Sequence, residues 1–149
     1  MLLRKAERRY RLQTSDYARL AAFRQALREF LRFSEEAAAQ AGLTAQHYQA
    51  MLILRACEGE SVTINDLARQ LFIKHNSAVG LVDRLVREGL ITREPAKEDR
   101  RKVELRLSGR GRQVLAKLAG MHRRELERIG PVIKQLIAEV FRDEPSKPE

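Results

Sequence analysis

Apolar positions fall in steps of three and four along most of this chain and alternate over one short stretch. From Ser15 to Ala41 no proline or glycine intervenes. There Leu20, Phe23, Leu27, Phe30 and Leu31 form one stripe, with Arg19, Arg24, Arg28 and Arg32 on the other sides. That spacing predicts a long amphipathic helix ending at Gly42, a residue suited to the position after a helix. Thr44 is placed to cap a second helix over Ala45 to Cys57, with Tyr48, Met51, Leu52 and Ile53 inward, until Glu58-Gly59-Glu60 breaks it. Thr63 and Asp66, three apart, resemble a capping box for a short helix through Leu71. Phe72-Ile73-Lys74 is then a turn, and His75 or Asn76 opens the next helix.

That next helix has two faces of opposite character. Ala78, Leu81, Val82 and Leu85 share an apolar side, whereas Asn76, Ser77, Gly80, Arg84 and Arg87 share a small, polar and basic one. A helix packed by one side and offering hydrogen-bonders and arginines on the other is shaped for a DNA major groove. Ile91 to Glu94 follows as a strand, then a charged turn, Pro95 to Lys102, then the alternating strand Val103 to Leu107. Helix plus basic hairpin is the layout of a winged helix-turn-helix. Ser108 is a fair cap for a helix to about Ile129, although Gly109 and Gly111 weaken its first turn; Val114, Leu115, Leu118 and Met121 give its apolar face. Gly130-Pro131 is expected to end it, since proline removes a donor and restricts the residue before it. A last helix, from Val132 to about Phe141, is expected before a polar tail rich in proline and expected to be disordered. The first twelve residues, dense in Arg and Lys, are either an arm or the start of the first helix.

Composition narrows the setting. The 149 residues, 44% of them hydrophobic, allow one compact domain or a small domain with helical extensions. With 29 Lys and Arg against 20 Asp and Glu the net charge is +9, which favours polyanionic partners: nucleic acid first, an acidic membrane surface second. No stretch approaches the ~20 apolar residues of a membrane span. The N-terminus lacks the apolar run of a secretory signal, and the single Cys57 excludes an internal disulfide, so a cytoplasmic protein is expected. The fold class is mainly α (α+β): an N-terminal arm and helix over 1–42, a winged helix-turn-helix over 43–108, and C-terminal helices with a tail over 109–149. The apolar stripes of head and tail exceed what so small a middle domain covers, so they are expected to pack in a homodimer.

Leu67-Ala68, Leu81-Val82-Asp83-Arg84-Leu85, Glu88-Gly89-Leu90-Ile91, Asp99-Arg100-Arg101 and Leu105-Arg106-Leu107-Ser108 with Gly111 occur in this order and spacing. Together they resemble the MarR (multiple antibiotic resistance regulator) family of dimeric winged-helix transcription regulators. The resemblance implies double-stranded DNA as partner, at a pseudo-palindromic operator. It implies that Asp99 braces the wing while Arg101 enters a minor groove, where arginine is favoured by focused negative potential. Arg100 would contact phosphate or support the wing, and Lys97 and Lys102 would add phosphate contacts. Where the family often has Ser or Thr followed by Arg, this chain has Val79-Gly80. Reading would then shift to Lys74, His75, Asn76 and Ser77, with closer backbone approach at Gly80. Asp83 is expected in an intraprotein ion pair, Arg84 on a phosphate; His75 fits an exposed turn residue equally well.

Little else carries chemistry. His47, His75 and His122 lie on separate elements without metal-ligand spacing, and neither GxSxG nor HExxH occurs. No metal, no cofactor and no enzymatic activity are expected. Oxidant sensing through Cys57 is disfavoured because Glu58, Glu60 and a helix C-terminus disfavour its thiolate; packing is the alternative. The resemblance further implies a crevice for a small aromatic or phenolic effector, with Phe23, Phe30, His47, Tyr48, Met51 and Arg55 as candidate linings. Aromatics at helical spacing are also ordinary core. The leading expectation is a repressor released by such an effector. A protein-docking winged helix and a non-specific DNA coat are the rivals.

Overall fold

Capping residues set the boundaries of several helices in the computed structural model, which describes residues 12–140. In chain order the elements are α1 (Thr14–Gln40), α2 (Ala45–Ala56), α3 (Ile64–Leu71), α4 (His75–Arg87), strands β1 (Ile91–Pro95) and β2 (Val103–Leu107), and α5 (Gly109–Val140). At α3 the Thr63 hydroxyl accepts from the Asp66 N–H, while the Asp66 carboxylate accepts from the Thr63 N–H at 2.8 Å. At α2 the partner of Thr44 is His47, whose Nδ1 accepts from the Thr44 N–H at 3.0 Å. β1 and β2 pair antiparallel from Ile91 opposite Leu107 to Pro95 opposite Val103. The Leu105 N–H also reaches the Val62 carbonyl at 2.8 Å, tying the hairpin to the segment ahead of α3. The expectations for residues 1–11 and for the polar tail lie outside the described residues.

The contacts divide the chain into two compact units: Phe33–Arg123, and the described parts of Met1–Arg32 and Arg124–Glu149. The core of the first is built on Met51, Leu67, Val82, Leu85 and Ile91, all fully buried. Each such side chain contributes about 1.5–3 kcal/mol relative to exposure. Beside it, buried His122 stacks on Tyr48 with ring centroids 4.0 Å apart. Its Nδ1 donates to the Leu118 carbonyl at 2.7 Å, and its Nε2 meets the Ser34 hydroxyl at 2.8 Å.

Two expectations are corrected. α5 does not end at Gly130-Pro131; one helix continues through Pro131 to Val140. Proline removes one backbone bond, but Ile129, Ile133, Leu136 and Val140 keep the three-four apolar spacing across it, so the same face is served on both sides. In α2, Leu52 is exposed and Leu54 is buried in its place, because Tyr48, Met51 and Leu54 repeat at three-residue steps.

The α2 cap has a pH consequence. Burial first, and then the positive Arg84, hold the His47 imidazole below its ordinary 6.5. A lowered folded value means that the unfolded chain takes the proton first. The contribution of His47 is therefore complete above about pH 6.5 and is lost as pH falls through the folded value. His47→Gln keeps an acceptor at the same capping position. It should flatten the dependence of the thermal midpoint on pH between about 5 and 7. Equal slopes in the variant and the parent would remove His47 from the acid response.

Candidate nucleic-acid interface

Burial divides α4 as the apolar period dictates. Ala78, Leu81, Val82 and Leu85 are buried, whereas Asn76, Ser77, Gly80, Arg84 and Arg87 are all exposed on the opposite side. Lys74 and His75 are exposed too. Unlike α2 and α3, α4 has no side-chain cap at its N-cap residue, Lys74, so its first N–H groups are not satisfied by one. Its His75 Nδ1 instead meets the Asn65 Oδ1 of α3 at 2.6 Å. Sequence reasoning had no place for Asn65, because that partner lies ten residues back on another helix.

Arginines near this face differ in how far they are committed. Arg84 donates from Nε to Glu88 at 3.0 Å and from Nη2 to the Gly42 carbonyl at 3.3 Å. Asp83, across the helix, forms an ion pair with Arg93 of β1, which holds the root of the hairpin against α4. Arg87 is exposed.

The hairpin turn is organised by Asp99. Its carboxylate accepts from the Arg101 N–H at 3.1 Å, its carbonyl from the Lys102 N–H at 2.9 Å, and the Ala96 N–H closes on the Lys102 carbonyl at 2.8 Å. Arg101 stands almost wholly in solvent, its side chain 95% exposed and its Nε 3.4 Å from Asp99. Arg100, Lys97 and Lys102 are exposed around the same tip. Below it, Glu104 is buried, although strand alternation would turn it outward. Two guanidinium bonds from Arg106, at 3.0 and 2.5 Å, satisfy it, and Arg106 also pairs with Glu94 at 3.1 Å. The Arg106 hydrogen bond, aided by Ser61, holds the Glu104 carboxyl below the usual range.

Glu104 and Asp66 contribute to the acid response of this region. Asp66 is likewise held low, first by the Thr63 backbone N–H. Groups with lowered folded values add stability that is present above the unfolded range, near 3.8 for Asp66 and 4.5 for Glu104, and lost as pH falls through the folded values. Asp66→Asn should therefore shrink the acid loss of stability below about pH 4.5 in denaturant melts. An unaltered acid limb would exclude Asp66 from it.

The other candidate positions differ in burial and in partners. A cleft of about 800 Å³ separates the wing from the amino end of α3, but its lining sets the carboxylates of Glu60, Asp66, Glu98, Asp99 and Glu104 against Lys97, Lys102 and Arg106, so it is not a basic pocket. Met51 is fully buried, Tyr48 nearly so, His47 belongs to the α2 cap, and Arg55 is ion-paired with Glu58. Phe23 and Phe30 are half-buried residues of the other compact unit. Cys57 is half-buried at the end of α2. Among the described residues no group of three or more His, Cys, Asp or Glu is placed to hold a metal. No described helix is long and apolar enough to cross a membrane.

A family model described as MarR family matches residues 41–102. A point mutant of S. aureus MepR superposes with a TM-score of 0.73 at 18% identity, over 88% of this chain and 96% of that one. RV1404 from Mycobacterium tuberculosis gives 0.67 at 25% identity, over 92% and 99%. The S. aureus MepR–DNA complex gives 0.64 at 20% identity, over 73% and 78%. No curated protein matches in sequence.

Proposed function

We propose that the chain, whose residues 41–102 match the MarR family model, is a member of that family and a homodimeric, sequence-specific DNA-binding transcription repressor relieved by a small aromatic or phenolic ligand. One observation carries the reading: the polar, basic side of α4 is open to solvent beside a hairpin whose tip presents Arg101. Two such helices, one from each copy, would read half-sites about one helical turn apart. Lys74, His75, Asn76 and Ser77 lie at the amino end of α4, where base edges are read; Asn pairs with adenine and Lys with guanine. The uncapped N–H groups there suit a phosphate. Arg84, Arg87, Lys97, Arg100 and Lys102 supply further cations, and Asp99 holds the tip in shape. On this reading the protein is cytoplasmic and carries no cofactor.

Self-association is supported by the unit outside the winged region. Tyr17, Leu20, Leu27 and Leu31 on α1, and Leu126, Val132, Ile137 and Val140 on α5, are exposed apolar side chains on helix faces. A second copy of the same helices would bury them. Sedimentation at micromolar concentration should report a dimer. A monomer would remove the two-half-site arrangement. No observation favours Cys57 as an oxidant sensor.

Selection from a random duplex pool tests the main reading. An inverted repeat should be enriched, and affinity should fall steeply with salt as phosphate-bound counterions are released. A pool that stays random while binding persists would identify a non-specific coat, and no binding at all a protein-docking domain. Gly80 offers a finer test, since a Cβ there meets nothing within 4 Å. Gly80→Ala should stabilise the fold by about 1 kcal/mol in urea melts. The same variant should bind the selected duplex more weakly, because the added methyl holds the helix backbone off the groove. Full affinity would show that Gly80 has no such role.

A further inference from the structure

Three helices here end in the same hydrogen-bonded motif, and one of them breaks its rule. After α1, the Gly42 N–H bonds to the Ala39 carbonyl at 2.9 Å and the Leu43 N–H to Ala38 at 3.0 Å. After α4, Gly89 bonds to Val86 at 2.9 Å and Leu90 to Leu85 at 2.9 Å. After α3, Phe72 bonds to Arg69 at 3.3 Å and Ile73 to Ala68 at 3.0 Å. The motif requires a left-handed residue at its first position, which glycine adopts without steric cost. Gly42 and Gly89 both have φ 71, but the third position holds Phe72 with φ 54, the one non-glycine residue of positive φ among the described residues.

A bulky side chain in this conformation is strained, and strain of that kind persists where something else uses it. Packing does not: Phe72 is 96% exposed. The fold therefore bears both backbone strain and a solvated aromatic ring at a site where its own two parallel motifs carry glycine. The ring stands in the helix-turn-helix turn, three residues before His75 begins α4. We propose that Phe72 is a sequence-reading residue whose ring lies against the C5-methyl of a thymine at the edge of each half-site. Among base edges in the major groove, only the thymine methyl is apolar, so a phenyl ring with no donor or acceptor has one group there to recognise. The proposal rests on the groove-facing reading of α4.

The test replaces thymine by deoxyuridine, one position at a time, in the duplex selected by the unaltered protein. Deoxyuridine lacks only the methyl. At one position per half-site the unaltered protein should lose about fourfold in affinity, the scale of one buried methyl. Phe72→Gly should bind the thymine duplex about fourfold more weakly and no longer distinguish uracil from thymine at that position. Its thermal midpoint should rise, as glycine relieves the left-handed strain, so the lost affinity could not be a folding defect. A lowered midpoint would assign the ring to the fold and overturn the proposal. So would an unaltered protein indifferent to every methyl, or a variant that keeps the preference, as a ring serving a protein partner would. If the unaltered protein enriches no sequence, the α4 reading falls with it; enrichment without a methyl effect overturns Phe72 alone.

Discussion

A Gly111→Ala protein should lose about 3 kcal/mol of folding stability, the upper end of the usual cost of overpacking a tight contact. The added Cβ would be driven into the Leu90 carbonyl oxygen, would lie 2.9 Å from the Leu90 carbonyl carbon, and would sit 3.3 Å from the Leu107 Cδ2. Two of those atoms belong to backbone, which cannot swing aside as a side-chain tip can. Nor can α5 retreat. Its first turn is pinned by Ser108, whose Oγ accepts from the Gly111 N–H at 2.9 Å and donates to the Gly89 carbonyl at 2.6 Å. The Ser108 N–H bonds to the same Leu90 carbonyl at 3.0 Å. Moving the helix away would break this set, and leaving it in place forces the overlap. Gly109→Ala, two residues earlier and with nothing within 4 Å of the new methyl, is the matched control and should change stability by less than about 1 kcal/mol. Urea melts of the two variants decide the matter. A Gly111→Ala protein as stable as the control would mean that the approach of α5 to Leu90 is looser than described.

Gly111 also shows where sequence reasoning stops. Read locally, it is a weak residue in a helix's first turn; its need for glycine comes from a backbone 21 positions away. The same limit hid the burial of Glu104, where strand alternation points outward and only Arg106 and Ser61 make the inward placement tolerable. Pro131 misled in the opposite direction. There the apolar stripe from Ile129 to Val140 outweighs the local breaker. What was legible depended on period and on caps. The two faces of α4 follow from three-four spacing, the hairpin from alternation beside a charged turn, and α3 from the Thr63–Asp66 pair. The α2 box was half legible, since Thr44 announces a cap but His47 is not the Glu or Gln usually sought opposite it. In the candidate site, exposure of the basic face was foreseeable, whereas the ties of Arg84 to Gly42 and of His75 to Asn65 were not, both being long-range contacts.

Arg101→Ala is the variant expected to alter DNA affinity most, by roughly 5- to 150-fold, the 1–3 kcal/mol of one good arginine contact. The argument begins with what the side chain does in the free protein, which is little: it is 95% exposed, with Asp99 at 3.4 Å as its ion-pair partner. A fully solvated surface residue contributes within about 0.5 kcal/mol to the fold, so stability should hold while affinity falls. Its backbone is a different matter, because the Asp99 carboxylate accepts from the Arg101 N–H and fixes the direction in which the side chain leaves the turn. An arginine so aimed suits a narrow A·T-rich minor groove, where the guanidinium is drawn by focused negative potential. Arg101→Lys keeps the charge without the planar fork and should fall between parent and alanine. Removing the side chain should also relax any preference for A·T pairs flanking the half-sites. A residue touching phosphate alone would instead lower the salt dependence by about one ion and leave that preference intact. Titrations of the three proteins against the selected duplex at two salt concentrations separate these outcomes. Equal affinity in parent and Arg101→Ala would take the hairpin tip out of recognition and leave α4 to carry it alone.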